Sequence, residues 1–152
     1  MPDDLYDHDI LTWSAHQASL LRRIASGERV NEAVDWPHLI EEVEDLGLSE
    51  LRACESLLRQ AMVHLMKLHS GADQPAGHWR AETVGFLADA AARFTPSMRQ
   101  RIDLDALFAR AVRQARAGGL AAADALPARC PWSLDALLSD TADIDRLLAV
   151  LG

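Results

Sequence analysis

Cysteine, lysine, β-branched residues and long apolar runs are all scarce in this chain, and each scarcity closes off a class of protein. Only Cys54 and Cys130 carry thiols. With no C-x-x-C pair, neither a disulfide framework nor a cysteine zinc site is expected. Cys54 falls on an apolar helical stripe and reads as a small buried hydrophobe. Few β-branched residues beside many Ala and Leu favour helix over strand. No apolar run is long enough to span a membrane. The opening MPDDLYDHDIL is acidic and lacks a basic-then-apolar export signal, so a cytoplasmic location is expected. Lys67 is the single lysine; the other basic residues are all arginine. There is no internal repeat, no low-complexity tract and no Gly-rich phosphate loop, and no Ser or Cys stands in a nucleophile motif.

What remains is an ordinary globular balance, 49% apolar and 25% charged over 152 residues. That length suits one domain burying roughly two-thirds of its unfolded surface. The net charge of −8 argues against nucleic-acid binding, which needs a basic footprint. The charge is uneven: residues 1–75 carry 14 acids against 6 bases, whereas residues 76–116 carry 4 acids against 7 bases.

Helical spacing organises the chain. A first helix is expected from about Ile10 to Ser26, with Asp7 or Asp9 as N-cap and Gly27 as its stop. Asp35 then reads as an N-cap, and Pro37 sits in the first turn, where its missing N–H costs nothing. From Trp36 the apolar positions stay within about 60° of one direction as far as Leu68. The phase passes Gly47 without a slip, so one long helix over about 36–69 is expected; the alternative is a break at Gly47 with Ser49 capping a new helix. HSGADQPAGH is a loop by composition. A third helix follows from about Trp79 to Phe94. Thr95-Pro96 opens a fourth helical region, interrupted near Asp103 and closed by Gly118-Gly119. A short helix capped by Ser133 and a last one near Asp143–Leu151 complete an all-α helical bundle, built around the long helix with antiparallel neighbours.

Two side chains interrupt the long apolar face. Glu50 points within about 20° of its middle, so it must be paired, protonated or reached by solvent. The short connection between the first two helices sets residue 50 near residues 13–17. A hydrogen bond from Gln17, Ser14 or the indole of Trp13 is therefore expected; a solvent-reached Glu50 at a groove or dimer seam is the alternative. His64 lies at the stripe's edge, with Thr83 roughly opposite and Trp79 one turn away. It reads as a neutral, hydrogen-bonded core histidine rather than a metal ligand. Gln17, Glu50, His64 and Thr83 are thus the expected interior polar residues. Glu50 and His64 stand about 21 Å apart along one helix, too far to share an ion. No Glu or Asp precedes a His by three residues inside a helix, as helix-bundle di-metal sites commonly require. His16 points away from the inner face. His69, Asp73 and His78 bracket the loop, where clustered polarity is ordinarily solvated. No metal site, catalytic residue or cofactor is expected.

The run IEEVED places Glu41, Glu42, Glu44 and Asp45 on the flanks and back of the long helix, near its N-terminus, where the macrodipole favours acids. They form a solvated face or a docking surface for a basic partner. Arg110, Arg113 and Arg116, spaced by threes, line one side of the fourth helix.

The order L-Y-D-x-D…W, then D-W-x-x-L-I-E-E-V-E-D-L-G-x-S-E, then L-x-x-x-x-x-H-L-M-K-L, followed by W-R-x-x-T-V, P-S-M-R and C-P-W-S-L-D-A-L-L, resembles the bacterial domain-of-unknown-function family number twenty-nine. The resemblance implies a small all-helical protein with no assigned activity. It singles out Trp13, Asp35, Glu41, Glu42, Glu44, Gly47, Glu50, His64, Lys67 and Trp79. Leu48 departs from it, standing where the family often has a basic residue, and so does the small, neutral loop after His69. The leading expectation is a cytoplasmic interaction or regulatory module without catalytic activity, with a homo-oligomeric or protein partner, no nucleic acid and no membrane. The alternative is a metal-assisted or acid–base enzyme using Glu41, Glu44 or His64 in a cleft between helices. A third, weaker reading is nucleic-acid binding through the arginine stripe.

Overall fold

A computed structural model of the chain describes residues 2–71 and 76–152. Among them are seven α-helices and no strand: α1 (Pro2–His8), α2 (Ile10–Ala25), α3 (Trp36–His69), α4 (Ala76–Arg93), α5 (Leu104–Ala117), α6 (Leu134–Leu137) and α7 (Ile144–Ala149). The expected long helix is present without a break; Gly47 lies inside it and Ser49 caps nothing. Local chemistry sets several ends. The Asp9 carboxylate accepts the Thr12 N–H and starts α2, and Gly27 stops it with φ 96°. Asp103, Ser133 and Asp143 cap α5, α6 and α7 in the same way. Thr95-Pro96 opens only a 3₁₀ turn, Pro96–Met98, so the fourth helical region is a turn followed by α5. α1 was not anticipated, because seven residues offer too few positions for a period to show.

The chain divides into two compact units at Leu48, and α3 runs through both. In the N-terminal unit, Trp13, Leu20 and Val34 are buried, along with the amide side chain of Gln17. In the second unit the far half of α3 supplies Cys54, Leu58, Ala61, Met62, Leu65 and Met66 to the core. Those side chains pack with Leu87 and Ala90 of α4, Phe108 and Ala111 of α5, and Trp132. Cys54 is fully buried, as a small hydrophobe should be, and its thiol points at the Ala90 carbonyl at 3.5 Å. The contact order Glu50–Arg93, Cys54–Ala90, His64–Glu82 makes α4 antiparallel to α3. Phe108 and Trp132 meet edge to face at 5.7 Å, and the Trp132 indole donates to the Leu147 carbonyl at 2.8 Å. That bond ties α7 to the core while satisfying a buried donor.

Candidate functional site

Two histidine–carboxylate pairs hold the densest side-chain chemistry, one in each unit. In the N-terminal unit Asp35 sits immediately before α3 and gathers donors. Its Oδ2 accepts the Trp13 indole N–H at 2.9 Å and meets His38 Nδ1 at 2.7 Å. Its own backbone N–H donates to Gln17 Oε1 at 2.8 Å, which is how a buried glutamine is satisfied. Tyr6 stacks on the His38 ring with 3.9 Å between centroids and donates its hydroxyl to Glu42 Oε1 at 2.7 Å. Burial pushes the Asp35 carboxyl up, but hydrogen bonds from His38 and Trp13 outweigh that and hold it below the ordinary range. The bond to Asp35 raises His38 in turn. The Glu42 carboxylate beside the Tyr6 phenol pushes it up to about 12. With Nδ1 held by a carboxylate, the His38 ring has a fixed orientation.

In the second unit His64 Nε2 meets Glu82 Oε2 at 2.6 Å, and His64 Nδ1 meets the Gln60 carbonyl at 3.0 Å. Both ring nitrogens therefore lie within hydrogen-bond distance of an oxygen acceptor. The other Glu82 oxygen lies 3.1 Å from His78 Nε2 on the same helix. The His64 bond, with the nearby charges of His78 and Lys67, holds the Glu82 carboxyl below its ordinary value despite partial burial. Phe86 and Trp79 pack edge-on against His64 at 5.2 and 6.4 Å, and the Lys67 ammonium lies 5.3 Å over the Trp79 ring.

Several expected site residues are elsewhere. Glu50 is not an interior residue, and its partner is not one of the three expected. Its side chain is 53% exposed and pairs with Arg93 Nη1 at 3.1 Å. The physical reason is that α4 ends at Arg93, so the core thins toward this end of the pair and a long cation reaches across to the carboxylate. Gln17 answers to Asp35 instead, and Ser14 bonds back to the Leu11 carbonyl. Thr83 is buried but does not face His64 with its hydroxyl, which donates to the Trp79 carbonyl at 2.6 Å within α4. The imidazole's partner is the neighbouring Glu82. Glu41, Glu44 and Asp45 are exposed, and Glu42 is half-buried against Tyr6. Asp73 of the loop group lies outside the described residues. Among the described residues, no group of three or more His, Cys, Asp or Glu side chains is placed to hold a metal ion.

Sequence reasoning missed Asp35–His38 and Glu82. Asp35-x-x-His38 has the helix-pair spacing but straddles the helix start, and His78-x-x-x-Glu82 has the i, i+4 spacing that puts two side chains on one face. Both signals were present.

Comparison with known proteins matches the family model described as domain of unknown function DUF29 to residues 5–142. A crystal structure of an α-helical protein of unknown function from Rhodospirillum rubrum ATCC 11170 is similar, with a TM-score of 0.70 and 32% identity over 97% of each chain. No curated protein matches the chain.

Proposed function

The chain belongs to the DUF29 family, and we propose that it works as a small interaction module docking a basic amphipathic helix of a partner protein. One observation carries this reading. Trp36, Ile40, Val43 and Leu46 are 42, 55, 65 and 70% exposed, yet they share one face of α3. That face is in phase with Cys54, Leu58, Ala61 and Leu65, which are fully buried further along the same helix. A contiguous apolar stripe left in water is unusual for a finished surface and marks a contact face.

The surrounding charge selects the occupant. Glu42 and Glu44 flank the stripe, with Glu41 and Asp45 on the back of the helix, so a second copy of the same face would set carboxylate against carboxylate. A helix with apolar residues at i, i+3, i+4 and i+7 and Lys or Arg beside them fills the stripe and neutralises the flanks. Within this reading the histidine pairs brace their helices. Among the described residues, every buried side-chain nitrogen and oxygen has a hydrogen-bond partner.

The test is titration of the chain with a designed Leu/Lys amphipathic helix and its Leu/Glu counterpart, read by Trp fluorescence. The Leu/Lys helix is expected to bind, with Ile40→Asp plus Val43→Asp weakening it by about tenfold or more. Equal binding of the Leu/Glu helix, or indifference to the two substitutions, overturns the proposal. So does sedimentation showing that the stripe pairs with itself.

A further inference from the structure

We infer that the cleft between α3 and α5 is a binding site for a compact, multiply charged phosphorylated ligand. Arg52, Arg59, Arg110 and Arg113 line it, with Ser56 and one carboxylate, Glu55. Four guanidinium groups against one carboxylate leave the cleft with three net positive charges, in a chain whose overall charge is −8.

What sets the cleft apart is that it gathers three arginines without a partner around one cavity. Outside the cleft, arginines such as Arg23, Arg99, Arg116 and Arg129 pair with Glu28, Asp135, Asp124 and Asp105, and Arg22, Arg29 and Arg101 stand without a partner among the described residues. In the cleft, Arg52, Arg110 and Arg113 make neither a hydrogen bond nor an ion pair among the described residues. Acids outnumber bases 23 to 15, so partners are not in short supply along the chain. Gathering like charges without counter-ions costs Coulomb energy that an anion recovers. Arg59 is held in place instead, with Nη1 donating to Gln114 Oε1 at 2.9 Å, which leaves its remaining N–H groups to donate. Ser56 Oγ accepts from Gln60 Nε2 at 3.3 Å and keeps its own O–H as a neutral donor.

Geometry chooses the ligand class. Planar guanidinium forks match phosphate oxygens two at a time. The cleft holds about 490 Å³, the scale of a small molecule. Arg110 and Arg113 are one helical turn apart, and Arg52 and Arg59 about 10 Å apart along α3, a spread suited to two or three phosphoryl groups. A long nucleic acid is disfavoured, because the acidic remainder of the chain repels an extended polyanion.

Calorimetry with inorganic triphosphate tests the site, with citrate and a thymidine oligonucleotide as comparisons. Triphosphate is expected to bind more tightly than citrate or the oligonucleotide, and more weakly as salt rises. Arg110→Ala with Arg113→Ala is expected to weaken it by about tenfold or more. Glu55→Gln, which removes the one repulsive charge and cannot mimic a loss of fold, is expected to tighten it. Arg22→Ala on α2 is expected to change nothing. Absence of triphosphate binding, binding insensitive to the paired Arg substitution, or an oligonucleotide or citrate bound as tightly overturns the assignment. Because the probe is small and the stripe on the first half of α3 takes no part, failure here is distinct from failure of the helix-docking proposal.

Discussion

Gln17 and Glu50 are both polar side chains on apolar helix faces, and their burial separates what each costs to remove. Gln17 is 2% exposed and its Oε1 accepts the Asp35 N–H. Gln17→Ala strands that donor at the start of α3, so it is expected to cost about 1–3 kcal/mol in urea unfolding. The Glu50–Arg93 pair is half in water, and Glu50→Gln is expected to cost less than about 1 kcal/mol. The reverse ranking would mean that Glu50 is sealed inside after all. A third residue-scale expectation concerns Asp35 and His38. His38 is raised above its ordinary 6.5, so its contribution is whole below that value and fades as pH climbs through the folded one. Asp35 is lowered from 3.8, so its contribution is whole above that value and fades as pH drops through the folded one. The stability gap between the chain and Asp35→Asn should therefore be widest near about pH 5 and narrow on either side. A gap that does not change with pH would show that the two groups do not titrate as a pair. Thermal or urea unfolding across that range measures it.

At the scale of elements, α3 is the simplest case. Its apolar phase persists over 34 residues, enough repeats to outvote one glycine, and the structure keeps it whole. Gly47 is nevertheless a weak point. A Cβ built there meets nothing within 4 Å, so Gly47→Ala is expected to stabilise the chain by about 0.5–1 kcal/mol, read as a higher urea midpoint. A loss of stability would instead reveal that the helix needs to bend at this position. The same periodicity explains what the sequence left illegible. Phase says which way Glu50, Cys54 and His64 point relative to one another; it does not say what covers each one. The Cys54 thiol faces the Ala90 carbonyl inside the core, His64 meets Glu82, Phe86 and Trp79, and the half-exposed Glu50 pairs with Arg93. Those differences come from where α4 ends, which is a tertiary fact. The caps at Asp9 and Ser133 were legible, because the capping residue announces itself locally, whereas Asp103 and Asp143 marked only an interruption and a helix start and prove to be caps. Asp35 shows the limit of that rule. Read as a cap, it is also the acceptor for an indole 22 positions earlier in the chain, and nothing local announces that bond.

For the whole molecule the uneven distribution of apolar burial has a dynamic consequence. The main core cluster is built entirely from residues between Cys54 and Leu151. The N-terminal unit has Trp13, Leu20 and Val34 buried, with the Asp35 hydrogen bonds beside them. Each fully buried large apolar side chain is worth about 1.5–3 kcal/mol, so opening the N-terminal unit exposes far less and lies lower in free energy than global unfolding. Hydrogen exchange should accordingly find the amides of α2 exchanging before those of α3 from Cys54 to Met66. Equal protection across both would mean one cooperative unit and would overturn this expectation. The uneven stability also bears on docking. A helix seated on Trp36, Ile40, Val43 and Leu46 binds the closed form of this unit, so mass action raises the free energy of its opening by about 2.7 kcal/mol at a hundredfold excess over Kd. Protection should then rise in α2 and in the first half of α3, with little change from Cys54 onward. Triphosphate in the arginine cleft should do the converse, slowing exchange in α5 and the second half of α3. Two ligands with separable footprints on one continuous helix make that helix the element through which binding at either place can be read.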